Sequence, residues 1–192
     1  CLNEVHTIAK VIGDFRRELP HAFIYVIDNG STDRTAEIAR DAGAEIIFEP
    51  RTGKGYAVEN LFDTIRHDVI ILVDGDDTYP ADKARDLLMP VLRGQTDMVV
   101  GSRILSGEKR SFRKFHAFGN AVLTYLINKI HGSRLTDVLS GYRAFNRKVV
   151  RRVPVISAGF EIETELTLQM LYYDLKIVEI PILLGDRPAE SP

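Results

Sequence analysis

Three short polar clusters in this 192-residue chain combine residue types that can do chemistry. The strongest is Val73-Asp74-Gly75-Asp76-Asp77, directly after the apolar run that starts at Val69. Alternate carboxylates on a tight turn can hold a hard divalent cation, Mg²⁺ or Mn²⁺, through oxygen while leaving positions open for diphosphate oxygens. Such a cation would act as a Lewis acid on a departing nucleotide diphosphate. Alone, the run equally fits an acidic turn with helix-capping aspartates. The apolar strand before it favours a ligand, because open α/β sheets bind ligands outside the carboxyl ends of their strands.

The second cluster, Asp28-Asn29-Gly30-Ser31-Thr32-Asp33, also follows a short apolar run. An acid there can accept hydrogen bonds from a base or ribose, and Gly30 lets backbone come close. By itself the cluster could be only a helix cap with turn chemistry. The third, Gly53-Lys54-Gly55, opens a helical pattern. A helix N-terminus favours anions and Lys54 adds charge, although Walker spacing is absent and a plain surface turn also fits.

The elements that must position these clusters alternate in a βαβ manner. Val5, Ile8, Ala9, Ile12, Phe15 and Leu19 share a helical face over 5–19. Strands are expected at 23–27, 44–48, 69–73 and 98–100, with helices from a cap at Ser31 or Thr32 to Ala42, over 54–65, and from Pro80. The second half is less regular: a helix over 112–130, a strand over 142–145, a helix over 160–172 and a strand over 177–184. Asp28 and Asp74 then face one crevice. The fold class is α/β, with a mostly parallel central sheet flanked by helices, in one domain spanning 1–192.

The composition supports a single core, with 45% hydrophobic residues and a formal net charge of −2. That balance offers no basic footprint for nucleic acid, which is excluded as a partner class. The lone cysteine, Cys1, has no partner for a disulfide or a zinc site. No run approaches a spanning helix. A chain opening at Cys1-Leu2-Asn3-Glu4 suggests that a first strand is missing and that a membrane region could lie beyond the C-terminus.

In order, Asn3-Glu4, 28–33, Gly53-Lys54-Gly55, Asp74-Gly75-Asp76, Gly101-Ser102-Arg103 and Asp137-Val138-Leu139-Ser140-Gly141-Tyr142-Arg143 resemble a family 2 glycosyltransferase of the GT-A, Rossmann-like nucleotide-diphospho-sugar transferase fold. The resemblance covers nearly the whole chain and is nearest to dolichyl- or polyprenyl-phosphate sugar synthases. It implies that Glu4, Asp28, Gly30, Lys54 and Asp74 bind a UDP- or GDP-sugar, and that Asp74 and Asp76 meet the metal. It further implies catalytic roles for Asp74, Asp76, Arg103 and the loop residue Arg113, and an acceptor side formed by Asp137, Ser140, Gly141 and Arg187. Two departures stand out: Asn29 replaces a second aspartate, and Asp77 adds an acid beside the metal turn.

A lipid phosphate is already an anionic nucleophile, whereas a sugar hydroxyl needs a base. The implied reaction is a single inverting displacement by a polyprenyl or dolichyl phosphate, on the cytoplasmic face of a membrane. Glu161 and Glu163 keep a hydroxyl acceptor open as the alternative; two apart on a helix, at most one lines the crevice. The apolar face of 112–130 could guide a lipid tail or be plain core, and the basic run 109–114 could be a functional loop or a solvated surface. Nucleotidyl transfer would call for a glycine-rich basic loop after the first strand, and a non-catalytic binding module would lack the metal acids.

Overall fold

The computed structural model describes residues 1–104 and 114–185, with side chains from 119 onward in the second segment. Arg113 and Arg187 lie outside these residues, as does 109–113 of the basic run. The described elements are α1 (Ile8–Glu18), β1 (Tyr25–Asp28), α2 (Thr35–Asp41), β2 (Glu45–Phe48), α3 (Lys54–Thr64) and β3 (Val69–Leu72). A 3₁₀ turn (Ala81–Lys83) leads into α4 (Ala84–Leu92), β4 (Met98–Ser102), α5 (Lys114–His131), β5 (Arg143–Asn146), α6 (Arg147–Arg152), α7 (Ile162–Tyr172) and β6 (Ile177–Pro181).

Strands β1 and β2 pair in parallel, while β3, β5, β4 and β6 form a second sheet in that order. β5 runs antiparallel to both neighbours, and β4 and β6 are parallel. Thus β3, β4 and β6 point the same way, with β5 the reversed strand among them.

Period-two alternation divides the core between the two sheet faces. Met98, Val100 and Phe145 pack with Val58, Phe62, Leu166 and Met170 of α3 and α7. Val99 and Ala144 face Phe15, Leu87 and Val91 of α1 and α4. Helix α1 buries Ile8, Val11, Ile12 and Phe15 in an i, i+3, i+4, i+7 stripe; of the expected face Ile8, Ile12 and Phe15 are buried, Ala9 is exposed, and Val11 takes its place in the core.

Helix α2 starts at Thr35 rather than after Ser31 or Thr32. Those two residues bind the N-terminal turn instead: Ser31 Oγ accepts from Asn3 N, and Thr32 N donates to Asn3 Oδ1. Asp33 covers the helix start, its Oδ1 accepting from Thr35 N at 2.9 Å. The expected strand over 177–184 ends at Pro181, and the short α6 is an element the sequence pattern did not signal.

Between β1 and β3 lies an apolar cleft of about 410 Å³, lined by Ile12, Val26, Leu61, Ile65, Ile71 and Leu88 among others. Cys1 is among the residues that line it. Cys1 N donates to Ile27 O at 2.7 Å, and Asn29 N donates to Cys1 O at 2.9 Å. That is the bonding of one residue of a parallel neighbour to β1.

Glycines 53 and 55 have a packing reason. A Cβ on Gly55 would stand 1.7 Å from Ser157 O, and one on Gly53 would stand 2.2 Å from Ala158 O. Gly55 N also donates to Ala158 O at 2.9 Å, so the loop before α7 lies directly on the first turn of α3. Gly55→Ala is expected to destabilise the fold by ~3 kcal/mol through this backbone clash. Gly13→Ala, mid-helix with nothing within 4 Å, is expected to stabilise it by ~0.5–1 kcal/mol; urea unfolding of both variants checks the pair.

Candidate functional site

Four elements deliver polar groups to one crevice at the strand ends. Asp74 follows β3, Lys54 opens α3, Glu163 lies in the first turn of α7, and Gly141 precedes β5. Lys54 Nζ is 2.6 Å from Asp74 Oδ1 and 2.6 Å from Glu163 Oε1. Burial alone would lower the Lys54 pKa, but the two carboxylates more than offset it and raise the pKa above its ordinary value. The ammonium therefore stays charged and bridges two acids 89 residues apart in sequence.

Gly141 closes over this pair. A Cβ there would be 2.9 Å from Asp74 Oδ2 and 3.0 Å from Lys54 Nζ. Its N–H donates to the buried Tyr79 hydroxyl at 2.9 Å. Burial, and then the nearby Asp74 charge, push the Tyr79 phenol up and keep it neutral. Tyr79 was not foreseen, and nothing local in the sequence marks it.

On the acidic turn, Asp76 Oδ1 accepts from Thr78 N and Thr78 Oγ1, at 3.2 and 2.7 Å. Asp77 adopts a left-handed backbone, φ 61°, and its carboxylate pairs with Lys10 of α1 at 2.7 Å. The extra acid is thereby engaged by α1. No group of three or more His, Cys, Asp or Glu among the described residues could hold a metal. Asp74 and Asp76 still supply two hard oxygen donors, and a Mg²⁺-like ion held by one or two carboxylates plus substrate phosphates needs no more from the protein.

The nucleotide-side candidates gather at the end of β1. Asp28 is buried and its Oδ1 accepts from Ser31 N at 3.2 Å. Gly30 has φ +84° and open space around it. Glu4 is buried, and its N–H donates to Thr35 Oγ1 at 2.8 Å. Thr7 links this turn to the acidic one: its hydroxyl donates to Gly75 O at 2.7 Å and stands 3.2 Å from Glu4 Oε2. Asn29 proves to be a connector. Its Oδ1 accepts from Gly53 N at 2.8 Å while its Nδ2 donates to Arg51 O at 2.6 Å. An aspartate has no N–H for the second bond, which gives the departure at this position a physical reason.

The acceptor-side candidates form a buried wall. Arg103 clamps Asp137 with Nε to Oδ2 and NH2 to Oδ1, each 2.7 Å. Asp137 also accepts from Asn120 Nδ2 of α5 at 2.9 Å. Burial opposes ionisation of Asp137, but the Arg103 bonds prevail and hold its carboxyl below the usual 3.8. Glu179 of β6 accepts from the N–H groups of Thr136 and Asp137, fixing the turn. Ser140 is fully buried and its carbonyl accepts from Arg143 Nε. Asp137 and Ser140, expected on the acceptor side, are enclosed and bonded within the protein. Arg103 and Gly141 are the members of this group next to the crevice, Gly141 against Asp74 and Lys54, and Arg103 near enough to Glu163 for that carboxylate to favour its charged form. Of the two candidate bases, Glu163 lines the crevice, whereas Glu161 bonds the Gly159 N–H at the surface.

Comparison with known proteins agrees with this architecture. Residues 1–153 match the model of glycosyl transferase family 2, and the chain belongs to that family. It is 38% identical over 190 residues to glycosyltransferase AglJ of Haloferax volcanii, covering 98% of this chain but 62% of AglJ. It is 30% identical to a dolichyl-phosphate hexose transferase of the same organism, covering 98% of this chain and 82% of that protein. Its fold matches, with TM-score 0.78 and 21% identity, the structure of glucosyl-3-phosphoglycerate synthase from Mycobacterium tuberculosis in complex with Mn²⁺, UDP and phosphoglyceric acid. That match covers 98% of this chain and 69% of the other. The chain thus has the GT-A fold and belongs to glycosyl transferase family 2, while spanning 62% of the length of AglJ.

Removing one partner of a buried ion pair leaves an uncompensated charge, so Asp137→Asn is expected to destabilise by about 3–5 kcal/mol at pH 7. Because the folded pKa is depressed, this stability is present above about pH 4 and is lost as pH falls through the lower folded value. Urea unfolding at pH 7 and pH 3 should show the gap between wild type and variant shrinking in acid.

Proposed function

We propose that this chain transfers a sugar from a UDP- or GDP-sugar to a polyprenyl or dolichyl phosphate with inversion at the anomeric carbon, working at a membrane. The observation that carries this reading is the convergence of Asp74, Lys54, Gly141 and Glu163 on one crevice at the strand ends. Asp28, Glu4 and Gly30 border its nucleotide end, and Gly30 leaves room for a ligand at close approach. A divalent cation held by Asp74 and Asp76, when bound, supplies Lewis-acid stabilisation of the departing diphosphate. Lys54 carries a fixed positive charge at the helix start, where it can turn from the carboxylates to a phosphate. Arg103, aimed by Asp137, offsets negative charge where donor and acceptor meet.

The engagement of Glu163 favours a phosphate acceptor over a hydroxyl, because its Oε1 is already taken by the Lys54 ammonium at 2.6 Å and is not presented to an incoming hydroxyl. A lipid phosphate needs no base. The dolichyl-phosphate hexose transferase among the relatives supports the same acceptor class. The cleft between β1 and β3, with Cys1 already bonded as a parallel neighbour, supports a strand ahead of Cys1 as part of this fold.

Calorimetric titration with UDP and with GDP, each with and without Mn²⁺, tests the donor site. One nucleotide is expected to bind only with the metal, and Asp76→Ala should weaken it at least tenfold. Binding of neither nucleotide by the folded chain would overturn the reading. A five-residue β-branched extension placed directly before Cys1 is expected to raise Tm by several degrees, measured by calorimetry.

A further inference from the structure

Helix α5 has two unlike faces. Asn120, Thr124 and Ile127 are buried, and Asn120 bonds Asp137, the carboxylate that holds Arg103. On the opposite side Val122, Tyr125, Leu126 and Ile130 are exposed, by 43, 62, 47 and 75%. Their spacing of i, i+3, i+4 and i+8 makes one continuous stripe. A soluble surface seldom presents such a strip of large apolar side chains without a use for it.

The charge pattern says what the stripe meets. Between Glu108 and Asp137 the chain has no carboxylate and six basic residues: Lys109, Arg110, Arg113, Lys114, Lys129 and Arg134. The whole chain is formally −2, so positive charge is concentrated in the segment that carries the exposed stripe. Lys129, exposed on α5, lies within the stripe itself. Exposed apolar side chains around Lys129, on a stretch of sequence without acids, suit an anionic bilayer, where tails take the apolar groups and headgroups attract the cations. A second copy of this chain would offer the same positive charge and repel.

We propose that the outer face of α5 is a docking surface for an anionic lipid bilayer. Through Asn120, the helix that lies on the membrane also supports the Arg103–Asp137 clamp beside the crevice. Docking on this face would place the crevice within reach of a phosphate at the bilayer surface. The surface itself stands on exposure and charge; what it delivers to the crevice rests on the function proposed above.

Co-sedimentation with phosphatidylcholine vesicles, with and without 30 mol% phosphatidylglycerol as a test composition (~30%), measures the surface separately from the donor site. The wild-type chain is expected to bind the anionic vesicles at least tenfold more tightly than the neutral ones, and less tightly as salt rises. Tyr125→Glu with Ile130→Glu, both exposed, should abolish binding while leaving Tm and the metal-dependent nucleotide titration unchanged. Lys129→Glu should weaken binding to anionic vesicles several-fold. No binding of the wild type to either vesicle, or undiminished binding of the double variant, would overturn the proposal. Loss of a dimer in the double variant, seen by analytical ultracentrifugation, would overturn it in favour of a contact between copies. Vesicle binding without nucleotide binding would leave the docking face standing and remove the donor reading; the converse would do the reverse.

Discussion

The arrangement of the crevice depends on one ammonium. Lys54 holds Asp74 on one side and Glu163 on the other, and both contacts are 2.6 Å long. Two carboxylates drawn toward one partly buried spot would repel and lose hydration, so they can share it only with a cation between them. Bringing that cation in requires α3 to start against the loop that precedes α7. Gly53 and Gly55 permit that approach, because any side chain there would strike the backbone of Ser157 or Ala158. Gly141 completes the fit by leaving no atoms where Asp74 and Lys54 lie.

Behind this centre a second cation organises the wall. Arg143 is fully buried, and its guanidinium donates to the carbonyls of Val138, Ser140 and Glu163 and to the Thr167 hydroxyl. Its partners are neutral, so burial lowers its pKa, with Glu163 and Asp137 opposing that shift. The planar fork ties the turn before β5 to the first turn of α7, as a lysine could not. The wall that carries Gly141 and the helix that carries Glu163 are therefore fixed relative to each other. Next to it, Glu179 sets the Asp137 turn and Asp137 sets Arg103, so a chain of carboxylate contacts runs from β6 to the crevice.

Much of this was legible in the chain. The acids at the ends of β1 and β3 follow from short apolar runs that stop at Asp28 and Val73, because strand periodicity is local and the carboxyl ends of strands define the binding edge. The same locality explains Ile8, Ile12 and Phe15 of the α1 stripe. The start of α2 was misplaced because Ser31 and Thr32 bond the distant Asn3, a choice no local rule contains. The burial of Asp137 and Ser140 has a non-local cause as well. Asp137 is held by Arg103, just after β4, and by Asn120 of α5, while the Ser140 carbonyl accepts from Arg143 of β5.

By itself, then, the sequence determined the α/β class, the acidic turns and the order of the motifs, since each depends on residues within a few positions of one another. Tertiary structure alone decided which charges face each other. Lys54 meets Glu163 across 109 residues of chain, Asp77 turns to Lys10, and Asn29 bridges to the Gly53 loop. It also decided that the outer face of α5 is bare, because a helical stripe has the same pattern whether it packs on a core or faces outward. Periodicity reports that a face is apolar, and only the positions of other elements report whether anything covers it.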